Sequence, residues 1–278
     1  MSTELPALVS RSVTVPAPRE VVWRLISTNE GWGAWWGPGS TIDARPGGAM
    51  SIAFPDGRRA AGTVQQVDPP TRLTFTFGYD RDDAPVPVDG SLVELTLTDA
   101  TDGTGTIVRL LHRLSDEGLA ALHEPGWRYQ LGLFRDVVAR ANFGPDLTDH
   151  VDQWHAAWGM SERDERRRTL LTLLAPDTVV DEPMATLQGP DEIDAWIEQA
   201  RAHLPATVKR SSPVALNGAH AMWSWEITDS GANSTTSAQI AGTAIARLAP
   251  DGRFKTITSF WLRTPPGLPS SVLRDQPG

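Results

Sequence analysis

The chain has 278 residues, a formal charge of −9, eleven tryptophans against two tyrosines, and no cysteine. That length suits two domains of about 130 to 140 residues each, and the lack of cysteine excludes disulfides, thiolate metal sites and cysteine nucleophiles. The negative charge argues against broad nucleic-acid binding, which needs a basic face to release counterions.

Alternation from Val9 to Val15 predicts a strand, and Pro18 opens a helix carrying Val22, Trp23, Leu25 and Ile26. That helix is expected to stop at Asn29-Glu30-Gly31. The patch that follows, Gly31 to Gly37, holds Trp32, Trp35 and Trp36 and is too rich in glycine to predict a helix. The period then switches to two. Met50, Ile52 and Phe54 alternate, as do Val64 to Val67, Leu73-Phe75-Phe77-Tyr79, Val93-Leu95-Leu97 and Thr106 to Leu114, with turns at Pro55-Asp56-Gly57 and Asp102 to Gly105. A last helix is expected from Pro125, its stripe running Trp127, Leu131, Phe134, Val138 and Ala141. Such a stripe must bury against the sheet.

The order strand, helix, meander, long helix is a helix-grip arrangement. Residues 9–141 resemble the START-like, or SRPBCC, superfamily, in the branch named after homologues of the activator of the heat-shock-protein-ninety ATPase. The resemblance is carried by Pro18-Arg19-Glu20-Val21-Val22-Trp23, Trp35-Trp36, Arg45-Pro46-Gly47-Gly48, Phe54-Pro55-Asp56-Gly57, Gly62-Thr63-Val64, Gly105-Thr106-Ile107 and His123-Glu124-Pro125-Gly126-Trp127. It implies a cavity for a small hydrophobic molecule. Trp23, Trp35, Trp36, Phe75, Phe77 and Trp127 are the candidate ligand-binding residues, with packing of core and rim as the alternative reading of the same rings.

Phe143-Gly144-Pro145-Asp146 breaks the long helix, placing one domain at 1–143 and a second at 148–264, with 265–278 a loose tail. Thr148 is the expected cap of a helix bearing Val151, Trp154, His155 and Trp158. Ser161 to Asp164 resembles a capping-box start for a second, in which Arg166-Arg167-Arg168 reads as a solvated face. A short strand spans Thr178 to Asp181, just before Glu182-Pro183. A third helix opens at Gly189-Pro190-Asp191-Glu192, with acids in its first turn where the helix dipole favours them. The rest reads as strand: Ala206–Leu216 and Ala219–Thr228 joined at Asn217-Gly218, then Thr236–Leu248 and Phe254–Arg263.

Three helices before a curved sheet resemble the SnoaL-like branch of the nuclear-transport-factor-two-like folds. The overall expectation is therefore α+β: a helix-grip (START-like) domain followed by a cone-shaped α+β barrel, both with curved antiparallel sheets. The second resemblance implies a carboxylate before a proline acting as a base next to a carbonyl, which is the place of Glu182, with His155 reaching the same cavity beside Trp154 and Trp158. Relatives that stabilise an enolate use an acid on the third sheet strand, where this chain has Ala244. The alternative makes Glu182 an exposed strand-end residue and His155 a satisfied core histidine. Gly242 and Ala244 are expected to leave room for a ring system.

Two functions follow. One is cofactor-free cyclisation, isomerisation or dehydration of a polyketide-like or polycyclic compound; the other is non-catalytic carriage or sensing of an apolar ligand. Co-chaperone activity follows from the first family's name alone. No cofactor and no metal is expected, since the six histidines lack ligand spacing. The expected partners are a small apolar molecule and, through the second domain, a second copy of the chain, with no nucleic acid and no membrane. No stretch approaches a membrane span and the N-terminal residues lack a signal-peptide pattern, so the expected location is cytoplasmic.

Overall fold

A computed structural model of the chain describes residues 5–203, 206–229 and 240–263. Its contacts divide it into two compact units, Met1–Asn142 and Phe143–Gly278. The architecture is mixed α+β, with two seven-stranded sheets and, among the described residues, six helices.

In the first unit β1 (Ala7–Val15) precedes α1 (Arg19–Ser27) and α2 (Asn29–Trp36). The strands β2 (Thr41–Ile42), β3 (Ala49–Ala53), β4 (Arg59–Asp68), β5 (Arg72–Tyr79), β6 (Ser91–Asp99) and β7 (Thr106–Leu114) form a meander closed by β1, in the order β1-β7-β6-β5-β4-β3-β2. All these pairings are antiparallel. The long helix α3 (Glu117–Phe143) buries Trp127, Leu131, Phe134 and Val138 in the core. It starts eight residues ahead of Pro125, which lies inside it.

The tryptophan-glycine patch is a helix, contrary to the expectation. Thr28 caps α2 by accepting from the Gly31 amide at 3.1 Å. The glycine that argued against a helix is what lets this one form: a Cβ on Gly31 would stand 2.4 Å from the Leu25 Cα and 2.5 Å from the Arg24 carbonyl oxygen. With that contact closed, α2 delivers three tryptophans to the core. Trp32 lies 5.6 Å from Phe75 and Trp35 lies 4.7 Å from Phe134, ring centre to ring centre. The indole N–H groups of Trp32 and Trp35 donate to the Ser51 and Leu25 carbonyls, each at 3.2 Å. The polar edges of these two rings are thereby satisfied, whereas the buried Trp36 indole nitrogen has no partner among the described residues.

The second unit begins with α4 (Leu147–Gly159), whose N-cap is Asp146 and not Thr148, and α5 (Arg163–Leu173). Next come β8 (Leu174–Glu182), β9 (Ala185–Gln188) and α6 (Gly189–His203). The remainder is β10 (Ala206–Arg210), β11 (Ala215–Asn217), β12 (His220–Asp229), β13 (Ile240–Leu248) and β14 (Phe254–Arg263). The Asn217-Gly218 hairpin forms, with Asn217 opposite His220. The strand expected over Ala206–Leu216 is two strands, because Pro213 has no amide for a continuous ladder. Expected strand residues 236–239 and the tail from 265 lie outside the described residues.

The sheet order is β10-β12-β13-β14-β8-β9, with β11 on β12. It departs from the expectation in two ways. Its ends are not paired to each other, so it is an open sheet and not a closed barrel, and β8 runs parallel to β14 with Val180 opposite Ile257. Arg166 is also not on a solvated face. It is 0% exposed and fully engaged, donating to Asp194 at 2.7 Å, Glu198 at 2.7 Å and the Met160 carbonyl at 2.8 Å. A buried guanidinium requires that many partners.

The close approach of α1 and α2 is testable by one methyl group. Gly31→Ala should cost about 1 to 3 kcal/mol of stability. Gly132→Ala, in the middle of α3 with nothing within 4 Å of the new Cβ, should gain up to about 1 kcal/mol. Urea unfolding of both variants checks the contrast.

Candidate functional site

Among the described residues, the second unit has a partly open cavity of about 60 Å³ between its first helix and one face of its sheet. Such a space holds on the order of five waters, or one small ring. The helix α4 supplies Trp154, His155 and Trp158, β8 supplies Glu182, and the sheet supplies Trp225, Ala244, Ile257, Ser259 and Trp261. The last five follow from period two: Trp225 on β12, Ala244 on β13 and the odd residues of β14 all point the same way.

Among the described residues, Glu182 is the only acid lining this cavity. The Trp261 indole reaches its Oε2 at 3.4 Å, and Ser259 lines the same cavity. Burial among apolar groups is the larger effect, and it pushes the Glu182 pKa up to about 7. A carboxylate with few donors around it holds its proton near neutrality, which suits it to exchange protons with a bound molecule.

His155 is 4% exposed, and its Nε2 accepts from the Trp223 indole N–H at 2.7 Å. Burial drives its pKa down to about 4, so the ring is neutral near pH 7. The structure thus brings together Glu182, His155, Trp154 and Trp158, as the sequence suggested. It adds Trp225, Trp261 and Ser259, whose signal was the alternation of β12 and β14. Gly242 plays a different part from the one expected. The Trp225 ring lies over it, so close that a Cβ would stand 2.4 Å from that ring, and the space it leaves is filled by protein. Ala244 does face the cavity.

A second cavity, of about 330 Å³, lies in the first unit between α3 and the sheet. Trp35, Trp36, Phe77 and Trp127 line it together with Tyr79 and His123. Phe75 is buried behind them, and Trp23 packs on the outside of the core; neither lines the cavity. The reading of the sequence passed over His112, which sits at an inward position of β7 and is fully buried. Its Nδ1 accepts from the Trp127 indole at 2.9 Å, and its Nε2–H donates to Ser91 Oγ at 2.8 Å. Ser91 in turn donates to the Phe77 carbonyl at 2.7 Å. Burial lowers the His112 pKa to about 3, so this chain of bonds is one of neutral groups.

Among the described residues no three histidines, aspartates and glutamates converge to hold a metal ion, and no helix is long and apolar enough to cross a membrane.

The described residues thus form two α+β units, each with helices and a seven-stranded sheet and each with an aromatic-lined cavity. Residues 16–139 match the family model described as activator of Hsp90 ATPase homolog 1-like protein, and residues 151–257 match the SnoaL-like domain. The first match falls within the first unit and the second within the second. Comparison with curated proteins finds no match. Similar solved structures include a SnoaL-like family protein from Agrobacterium tumefaciens, 22% identical over 41% of this chain and 95% of that one, with a TM-score of 0.38. The Aha1 dimer from Colwellia psychrerythraea is 17% identical over 48% of this chain and 96% of that one, with a TM-score of 0.41. CalU16 from Micromonospora echinospora is 23% identical over 51% and 78%, with a TM-score of 0.37.

The raised Glu182 pKa has a sign that stability measurements read. Between the ordinary value of 4.5 and about 7, the folded protein holds the Glu182 proton more tightly than the unfolded chain does. This contribution to stability is complete below pH 4.5 and is lost as the pH rises through 7. Relative to Glu182→Gln, the wild type should therefore gain stability as the pH falls from 7 to 4.5. Urea unfolding of both proteins across that range checks it, and His155 cancels in the difference.

Proposed function

We propose that the second domain, residues 148–264, is an acid–base catalyst for a small apolar carbonyl compound, with Glu182 as the proton-abstracting base and His155 beside it. The observation that carries this reading is a lone carboxyl, raised to about 7, facing a cavity walled by tryptophans. A base of that pKa is matched to removing a proton from carbon next to a carbonyl at neutral pH. The flat walls of Trp154, Trp158, Trp225 and Trp261 suit a ring, and the volume suits one ring better than the polycyclic compound the sequence suggested. Isomerisation, dehydration and cyclisation all share this first step.

A second reading concerns the first domain, residues 1–143, as a carrier of an apolar ligand. Its aromatic cavity is larger, and Leu122 and Tyr129 stand 63% and 68% exposed on the helix that lines it. In that role Trp35, Trp36, Phe77 and Trp127 hold the ligand by contact area, without a base. Self-association through the second domain belongs to the same proposal. Met222, Ile245, Phe260 and Leu262 are exposed on the sheet face turned away from the cavity, where a second copy would cover them.

The base is tested with a panel of small cyclic ketones in D2O, following loss of the protons next to the carbonyl by NMR. Wild-type protein should accelerate exchange of at least one member over buffer, and Glu182→Gln should reduce that rate about a hundredfold or more while keeping the fold. Equal rates in the two proteins would remove Glu182 from the mechanism, and no exchange across the panel would leave carriage as the function.

For self-association, sedimentation of the full chain should show a dimer in the micromolar range. Phe260→Glu should return it to a monomer; a wild-type monomer would remove the pairing.

A further inference from the structure

We infer that the cavity of the first domain takes a flat compound of one or two rings carrying a neutral hydroxyl group, and that the Tyr79 oxygen accepts the hydrogen bond of that hydroxyl. The inference rests on the reading of this domain as a carrier, and narrows its ligand from any apolar molecule to one that donates.

The direction of a short chain of hydrogen bonds carries it. His123 stands on α3 with its Nδ1 2.8 Å from the Leu119 carbonyl oxygen, one turn earlier. A carbonyl oxygen can only accept, so Nδ1 carries a proton. In the neutral imidazole Nε2 is then a bare acceptor. The Tyr79 hydroxyl stands 3.4 Å from that nitrogen, and its proton is what a bare nitrogen takes. Burial raises the Tyr79 pKa above its ordinary value, so near pH 7 the phenol has a proton to give. The chain therefore runs one way, from Tyr79 to His123 to the backbone. A phenol that has donated its proton keeps its oxygen lone pairs, and among the described residues nothing else is hydrogen-bonded to this oxygen. What Tyr79 offers next is an acceptor.

Both ends of the Tyr79–His123 bond line the 330 Å³ cavity, whose remaining walls include the rings of Trp35, Trp36, Phe77 and Trp127. Tyr79 is half-buried and also lines a wider space outside, together with Phe54, Arg58 and Leu122, which border both. The acceptor thus belongs to the side on which the aromatic cavity opens. His112, whose ring centre is 5.2 Å from that of His123, differs: both its nitrogens are engaged within the core, and it does not line the cavity.

The walls set the rest of the ligand. A cavity of this volume is at the small end of ligand pockets, and ring faces suit a flat body. The donor has to be neutral. Among the described residues no aspartate or glutamate lines this cavity, and Arg58 at its edge is positive. An ammonium group would be buried there without a counter-charge, which is costly. A hydroxyl on an aromatic ring donates well and is uncharged near neutral pH. At 3.4 Å the Tyr79–His123 bond is long. A donor arriving at the Tyr79 oxygen strengthens it, because hydrogen bonds in a chain polarise one another. His123 is the positioning residue, since it sets which way the Tyr79 proton points.

Two probes that differ by one methyl group test the inference on the full-length protein: 2-naphthol, which donates, and 2-methoxynaphthalene, which does not. Calorimetry at pH 7 should show wild-type protein binding 2-naphthol about fivefold or more tightly than the ether, as expected when a donor finds a partner. Tyr79→Phe, which keeps the ring and loses the oxygen, should abolish that preference and leave the affinity for the ether unchanged. Equal affinities in wild type, or a preference that survives in Tyr79→Phe, overturn the acceptor role and leave the carrier reading standing. Binding of neither probe overturns both.

The direction of the chain has its own readout, which needs no variant. In wild-type protein labelled with 15N-histidine, His123 should show a protonated Nδ1 and a bare Nε2 at pH 8. The Nε2 signal should shift on addition of 2-naphthol and not of the ether. His123 found as the Nε2–H form reverses the chain and overturns the proposal. If Tyr79→Phe does not fold, this tautomer and its response to 2-naphthol decide the question.

Discussion

A carboxyl group surrounded by tryptophan faces can stay charged only if enough donors replace the water it has lost. At Glu182 they do not: one indole at 3.4 Å is the donor that stands against the desolvation of the carboxyl. Everything proposed for the second domain depends on that imbalance. It keeps a proton available near pH 7, it makes the cavity a poor host for an anion in its resting state, and it is relieved when the proton leaves or arrives with a substrate. The surrounding fold serves to maintain it. Gly242 lets Trp225 lie across β13, and the parallel pairing of β8 with β14 fixes the strand whose end presents the acid.

The same pairing of indole and imidazole occurs in both units with opposite outcomes. Trp127, His112 and Ser91 form a closed chain that ends on a backbone carbonyl, so every buried polar atom in it is spent on holding the fold. Trp223 and His155 form an open chain that ends on a buried Nδ1 with no hydrogen-bond partner among the described residues. Buried polar networks are costly when incomplete, and the incomplete one lies beside the carboxyl with the raised pKa. Such atoms are not confined to the second unit: in the first, the Trp36 indole nitrogen and Thr74 Oγ1 are also buried without a hydrogen-bond partner among the described residues.

Much of this was legible in the sequence because period and turn chemistry are local. The alternations of β5, β6, β7 and β14, the Asn217-Gly218 hairpin and the Glu182-Pro183 strand end all follow from neighbours in the chain. What stayed hidden depends on distant partners. The helix of Asn29–Trp36 forms because Gly31 packs on Leu25 and Arg24, a contact that no local propensity reveals. Arg166 reads as a surface charge until Asp194 and Glu198 arrive from another helix. Gly242 looks like empty space until Trp225 is seen to occupy it. The candidate base and the helix residues facing it were identified from pattern and resemblance, whereas the tautomer of His155 could come only from the Trp223 contact.

The most direct test of this account is the titration of Glu182 itself. With 13C in the glutamate side-chain carboxyls, and the Glu182 signal assigned by its loss in Glu182→Gln, its chemical shift is followed from pH 3.5 to 9. The account predicts a midpoint near 7. A midpoint at the ordinary value of about 4.5 would show a hydrated carboxylate at the strand end, and would contradict the site as described.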